Sequence, residues 1–104
     1  MSARTLRNCA DFVRSKNSGP FTVTIDIFFP DTALLDAAWT CEGLSKAAVA
    51  DLYKVPQSSI RRFRVDLVKA LKISLPRRIP AGEIGDTDVA GGQQFAPLLD
   101  IMVP

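Results

Sequence analysis

FTVTIDIFF, residues Phe21–Phe29, puts Phe21, Val23, Ile25, Ile27 and Phe29 on one side of an extended chain and Thr22, Thr24 and Asp26 on the other. Side chains of a strand alternate between faces, so this segment reads as a strand with one apolar face and one mostly polar face. The apolar face must pack on helices. Asp26 then lies on the polar face, or under a loop that crosses it.

Working outward, residues Ala3–Lys16 read as an amphipathic helix, because Leu6, Cys9, Ala10 and Val13 fall at i, i+3, i+4 and i+7. Arg14 and Lys16 would complement the negative end of its dipole, and Asn17 with Gly19-Pro20 would stop it. Downstream, Pro30-Asp31-Thr32 opens a second helix with Leu34, Leu35, Ala38 and Trp39 as its apolar stripe, and Gly43 ends or kinks it. Ser45 caps a third helix through about Tyr53, with Leu44 and Val49 spaced as a hydrophobic staple and Val55-Pro56 closing it.

IRRFRVD, Ile60–Asp66, alternates imperfectly and reads as an outer strand, where arginines guard an edge against aggregation. Leu67–Ala70 reads as a short helical turn, Leu71–Leu75 as a further strand ended by Pro76, and Leu98–Val103 as a last short strand. Between them lies a Gly-, Pro- and Asp-rich loop, residues Arg77–Pro97, too long for an idle connector in a small domain. The order α-β-α-α-β-β-loop-β predicts one α+β domain over residues 1–104, a mostly antiparallel sheet of about four strands with helices on one face.

The composition narrows the function more than it names it. Hydrophobic residues make up 47% of the chain and the net charge is +2, which gives no electrostatic case for nucleic acid or membrane binding. No apolar run approaches the roughly 20 residues that cross a bilayer. MSARTLRNCADFVRSKN lacks the apolar core of a signal peptide, so a cytoplasmic location is expected. Cys9 and Cys41 are then expected as reduced, partly buried thiols rather than a disulfide. The chain has no histidine, which removes the commonest general base and metal ligand, and no CxxC spacing for zinc.

Three patterns carry candidate chemistry. LSKAAVADLYKVPQSSIRRF, residues 44–63, has the outline of a helix-turn-helix, but the β-branched and aromatic residues after Ser59 favour a turn into a strand. Asp86 and Asp88 offer carboxylate oxygens of the kind magnesium takes, yet a pair of carboxylates in a loop more commonly caps a turn, so no metal is assigned. Lys16, Lys72, Arg77 and Arg78 are candidates for holding an anion, and Gln93 or Gln94 for donating to a carboxylate or carbonyl. Trp39 and the phenylalanines read as core.

RSKNSGPF at Arg14–Phe21 with the strand to Asp26, the run Leu71-Lys72 through Pro76-Arg77, and GDTDVAGGQQFAPLLDI at Gly85–Ile101 together resemble the AtuA-like, ferredoxin-fold family. Its small members are catalogued as a domain of unknown function, related to the C-terminal domain of acyclic terpene utilisation proteins. The resemblance covers nearly the whole chain and implies a ferredoxin-like α+β sandwich. The positions that match are Arg14, Lys16, Asn17, Gly19, Asp26, Lys72, Arg77, Asp86, Asp88, Gln93 and Gln94. Ala90 and Phe95 stand where such proteins commonly carry tyrosine and histidine, which favours binding or assembly over autonomous catalysis.

The resulting expectation is a small accessory subunit that docks on a larger AtuA-like protein of organic-acid or acyl-CoA catabolism and lends its 77–98 loop to a ligand site. A homo-oligomer through an open sheet face or edge is a further expectation. The alternative is a stand-alone enzyme or binding protein for a carboxylate or acyl compound. In that case Asp26, Asp86 or Asp88 would be the acid/base, and Lys16, Asn17, Lys72, Arg77, Gln93 and Gln94 would hold the ligand. DNA binding through residues 46–64 is the third reading. No cofactor is indicated.

Overall fold

The computed structural model describes residues 4–19, 21–76 and 98–103. In chain order its elements are β1 (Arg4–Thr5), α1 (Leu6–Cys9), β2 (Phe12–Asn17), β3 (Thr22–Phe28), α2 (Thr32–Trp39), α3 (Lys46–Tyr53), β4 (Arg61–Val65), β5 (Ala70–Pro76) and β6 (Met102–Val103). The main sheet is antiparallel, in the order β2-β3-β5-β4, and β1 pairs with β6 in a separate two-stranded sheet. β3 and β4 are parallel to each other with β5 between them, joined through α2 and α3. That is a split β-α-β unit, the building block of a ferredoxin-like sandwich, with β2 added beside β3 from the N-terminal side.

β3 behaves as its alternation requires. Val23, Ile25 and Ile27 are fully buried, together with Leu71 and Ile73 from β5 and Leu35, Ala38, Leu44 and Val49 from the helical segment. Burying each such aliphatic side chain contributes about 1.5–3 kcal/mol, so this layer is the main source of stability. Leu6, Leu98 and Val103 join the same core. They are held there by Leu6 N–H donating to the Ile101 carbonyl at 2.8 Å and by the short β1–β6 ladder. Cys9 and Cys41 are both buried thiols and form no disulfide. No helix of the described residues is long and apolar enough to cross a membrane.

The helix expected over Ala3–Lys16 is corrected. Only Leu6–Cys9 makes a helical turn, and Phe12–Asn17 pairs with β3 in register from Phe12↔Phe28 to Asn17↔Val23. A ladder along a preformed central strand satisfies the backbone of β-prone Phe12 and Val13, and this outweighs a weak helical periodicity. Asn17 to Gly19, read as a helix stop, is the reversal between two strands. Ser18 N–H donates to the Thr22 carbonyl at 2.8 Å, and Gly19 adopts φ +106°, where a side chain would be strained.

The helical segment follows its local signals more closely. Asp31 accepts from Leu34 N–H at 2.8 Å and Ser45 from Ala48 N–H at 3.2 Å, each capping a helix. α2 ends at Trp39 rather than at Gly43, and Thr40 Oγ1 donates back to the Asp36 carbonyl at 3.0 Å. Gly43 instead lies in the 3-10 turn Glu42–Leu44. α3 ends with Lys54 at φ 61°, the Lys54 and Val55 N–H groups returning to the carbonyls of Asp51 and Ala50 as in a Schellman motif. Residues Arg61–Val65 form a strand, so the second helix that a helix-turn-helix requires is not there.

Two outcomes are expected. A Cβ at Gly43 would come within 2.6 Å of Ile101 Cγ2. Gly43→Ala should therefore lower stability by about 1–3 kcal/mol in chemical denaturation. Tyr53 is the only tyrosine, and burial pushes its hydroxyl well above its ordinary value. The unfolded chain loses that proton first, so stability should fall as pH rises above about 10. Tyrosinate absorbance of the native protein should stay absent until unfolding.

Candidate functional site

The register of the four main strands sets side chains in rows across the face opposite the helices. Arg14, Asp26, Lys72 and Phe63 form the central row. Phe12, Phe28, Ala70 and Val65 lie on one side of it, and Lys16, Thr24, Ser74 and Arg61 on the other. The α2 and α3 side chains that enter the core meet the other face, and no described helix covers this one. Phe12 is 53% exposed and Phe63 50%, while Leu67 in the turn after β4 is 93% exposed. These exposed apolar side chains make the face a candidate contact surface.

In the middle of this face Asp26 is only 1% exposed. Arg14 Nε donates to its Oδ2 at 3.2 Å, and Lys72 Nζ stands 3.8 Å from Oδ1, too far for a hydrogen bond. Among the described residues Oδ1 has no hydrogen-bond partner. The Arg14 guanidinium also lies 5.4 Å from the centre of the Phe28 ring, which Phe12 meets edge-on at 5.0 Å. A cavity of about 230 Å³ opens beside the three charged groups, walled by Phe28, Val65, Val68 and Ala70. A shallower hollow continues from Lys72 past Phe63 to Thr24, Ser74 and Arg61.

The candidates separate cleanly on this geometry. Asp26 and Lys72 meet, and Arg14 joins them. Lys16 is on the same face, one row away and exposed. Asn17 alternates to the helix side of β2 and is not part of the cluster. Arg77, Asp86, Asp88, Gln93 and Gln94, together with Arg78, Ala90, Phe95 and the 77–97 loop, lie outside the described residues. Among the described residues, no group of three His, Cys, Asp or Glu side chains gathers in a metal-binding arrangement.

Two readings of the sequence are inverted here. Phe12, Phe21 and Phe63 are exposed rather than core. In β4 it is Arg62 and Arg64 that point toward the helices. Arg62 donates to the Trp39 carbonyl at 2.7 Å with its guanidinium 4.3 Å from the Trp39 ring centre, and Arg64 pairs with Asp36 and Asp66. Burial lowers the pKa of Arg62, while the hydrogen bonds that Arg64 donates to Asp66 and Asp36 raise its own. β4 thus shows Arg61, Phe63 and Val65 to the open face, where the sequence had suggested a charged outer side.

The hydrogen bond described at Asp26 comes from the Arg14 guanidinium, which holds the carboxylate in place on the open face. A family model described as a domain of unknown function, DUF4387, matches residues 6–102. No curated protein and no solved structure matches the chain.

Removing the cations tests the cluster. A buried carboxylate stripped of its partners costs several kcal/mol. Arg14→Met with Lys72→Met should lower unfolding stability by about 2–4 kcal/mol, more than either change alone. Lys46→Met, at an exposed position on α3, should shift it by under about 0.5 kcal/mol. Urea denaturation of the two single variants, the double variant and Lys46→Met reads the difference.

Proposed function

We propose a binding and assembly role, rather than a self-contained reaction, for this chain, which belongs to the DUF4387 family, a domain of unknown function. It acts as an accessory subunit whose open sheet face seats on a larger protein. The observation that carries this is a sheet face that no described helix covers, with Phe12 and Phe63 half exposed and Asp26 buried. Four strands at about 4.8 Å spacing and some six residues of length present roughly 20 by 20 Å in projection. That is about half of what a standard interface takes from each partner. The contact therefore extends over the neighbouring turn, where Leu67 and Val68 stand exposed.

The resemblance in sequence supplies the partner's class. A larger AtuA-like protein of organic-acid or acyl-CoA catabolism is the proposed seat, with polar groups from residues 77–97 contributing at the contact. Arg14, Lys16, Arg61 and Lys72 share the open face with Asp26, the one acid that the described strands place there, so an acidic patch on the partner would complement it. The observation that favours the alternative, a small-ligand site within this chain, is the cavity at Asp26.

Affinity purification of the tagged protein from its native cells, with mass spectrometry, tests the assembly. One larger AtuA-like chain should be recovered in near-stoichiometric amount. Phe63→Asp combined with Leu67→Asp should abolish its recovery while leaving the circular dichroism spectrum unchanged, because both side chains project into solvent. A chain that stays monomeric when mixed with that partner overturns the reading, as does undiminished recovery with the double variant.

A further inference from the structure

We infer that the Arg14–Asp26–Lys72 cavity is a binding site for a small hydroxycarboxylate, held by its carboxylate on the two cations and by its hydroxyl on Asp26 Oδ1. The inference rests on reading the open sheet face as the binding surface, and it adds the chemistry of what enters there.

Three observations converge on this ligand. Asp26 Oδ1 is a buried acceptor without a hydrogen-bond partner among the described residues, and Asp26 is one of the residues that line the cavity. An acceptor in that position is satisfied by a ligand that donates. Next to it, Arg14 uses Nε on Asp26, and its side chain is still 54% exposed, as that of Lys72 is 43%. Both cations therefore keep donors for a second anion, and a carboxylate is the group whose geometry a guanidinium matches. Finally, the opposite wall is Phe28, Val65, Val68 and Ala70, which takes hydrocarbon.

The donor to Oδ1 is a hydroxyl rather than an ammonium. A cationic donor would be driven off by Lys72 Nζ, only 3.8 Å from that oxygen, and by Arg14 beside it. Spacing fixes where the hydroxyl sits. Two ligand oxygens that each bond to groups so close together lie about 3–4 Å apart, as in a 2- or 3-hydroxy acid. Size limits the hydrocarbon. A cavity of about 150 Å³ takes benzene, so the space at Asp26 takes a branched acid of roughly eight non-hydrogen atoms.

The test is an amide-resolved NMR titration of the full-length, nitrogen-15-labelled chain with 2-hydroxyisovalerate, isovalerate and 2-hydroxyisovaleramide. The hydroxy acid should give saturable shifts centred on residues 14, 26, 70 and 72. Isovalerate, lacking the hydroxyl, should bind at least about tenfold more weakly, and the amide, lacking the charge, should bind weaker still. Lys72→Met should abolish these shifts, and Lys46→Met should leave them as they are. Equal binding of the two acids overturns the role of Oδ1; no saturable shifts at these residues overturns the site. Because the titration uses the chain by itself, a failed partner capture does not decide it, nor does a failed titration decide the partner.

Discussion

The alternation of side chains along β3 is the constraint from which the molecule follows. With Val23, Ile25 and Ile27 committed to the helix side, Thr24 and Asp26 have no choice but the other. A shift of one residue would bury the carboxylate among the aliphatic side chains and expose all three of them, so the register is strongly specified. Each neighbouring strand inherits that register. β2 brings Arg14 opposite Asp26, β5 brings Lys72, and β4 brings Phe63 to the end of the row. The candidate site is a consequence of strand pairing and not of any local motif.

That dependence separates what was legible in the sequence from what was not. The strand read at 21–29, seen at Thr22–Phe28, and the Ser45 cap are short-range features that read correctly from adjacent residues, whereas the turn read at 67–70 lies at Asp66–Val68 and Ala70 opens β5. The 3–16 segment is different, because Leu6, Cys9, Ala10 and Val13 fit a helical stripe while Phe12, Arg14 and Lys16 fit one side of a strand equally well. Only the pairing with β3, through residues a turn away, decides between them. The same holds for the cluster. Asp26 and Lys72 were separate candidates in the sequence, and nothing short of the β3–β5 register puts them side by side.

β4 shows how the usual sense of inside and outside reverses at a thin layer. An arginine reaching toward helices is acceptable when the layer offers a ring and a carbonyl, as Trp39 does for Arg62, or carboxylates at its rim, as Asp36 and Asp66 do for Arg64. Arg62 Nε nevertheless remains buried without a partner among the described residues. The consequence is felt on the other side of the sheet. Once Arg62 and Arg64 turn inward, Phe63 and Val65 must turn outward, and β4, an edge strand as its composition suggested, lends them to the hollow that also includes Thr24, Lys72 and Ser74.

Stability by itself gives a poor account of Asp26. Replacing a buried ion pair with apolar residues of similar volume is often neutral or stabilising, because desolvation offsets the Coulomb attraction. The central strand has the means for that, since its flanking face already holds Phe28, Ala70 and Val65. A thermodynamically economical sheet would continue that apolar row. Instead the chain keeps a carboxylate beside a cavity, with one oxygen bonded by Arg14 and the other buried without a hydrogen-bond partner among the described residues. Polar groups held at a cost in a concave, otherwise apolar surface are what orientation and specificity in binding require. The same three residues that add little as a structural ion pair therefore gain a rationale as the polar centre of the proposed binding surface.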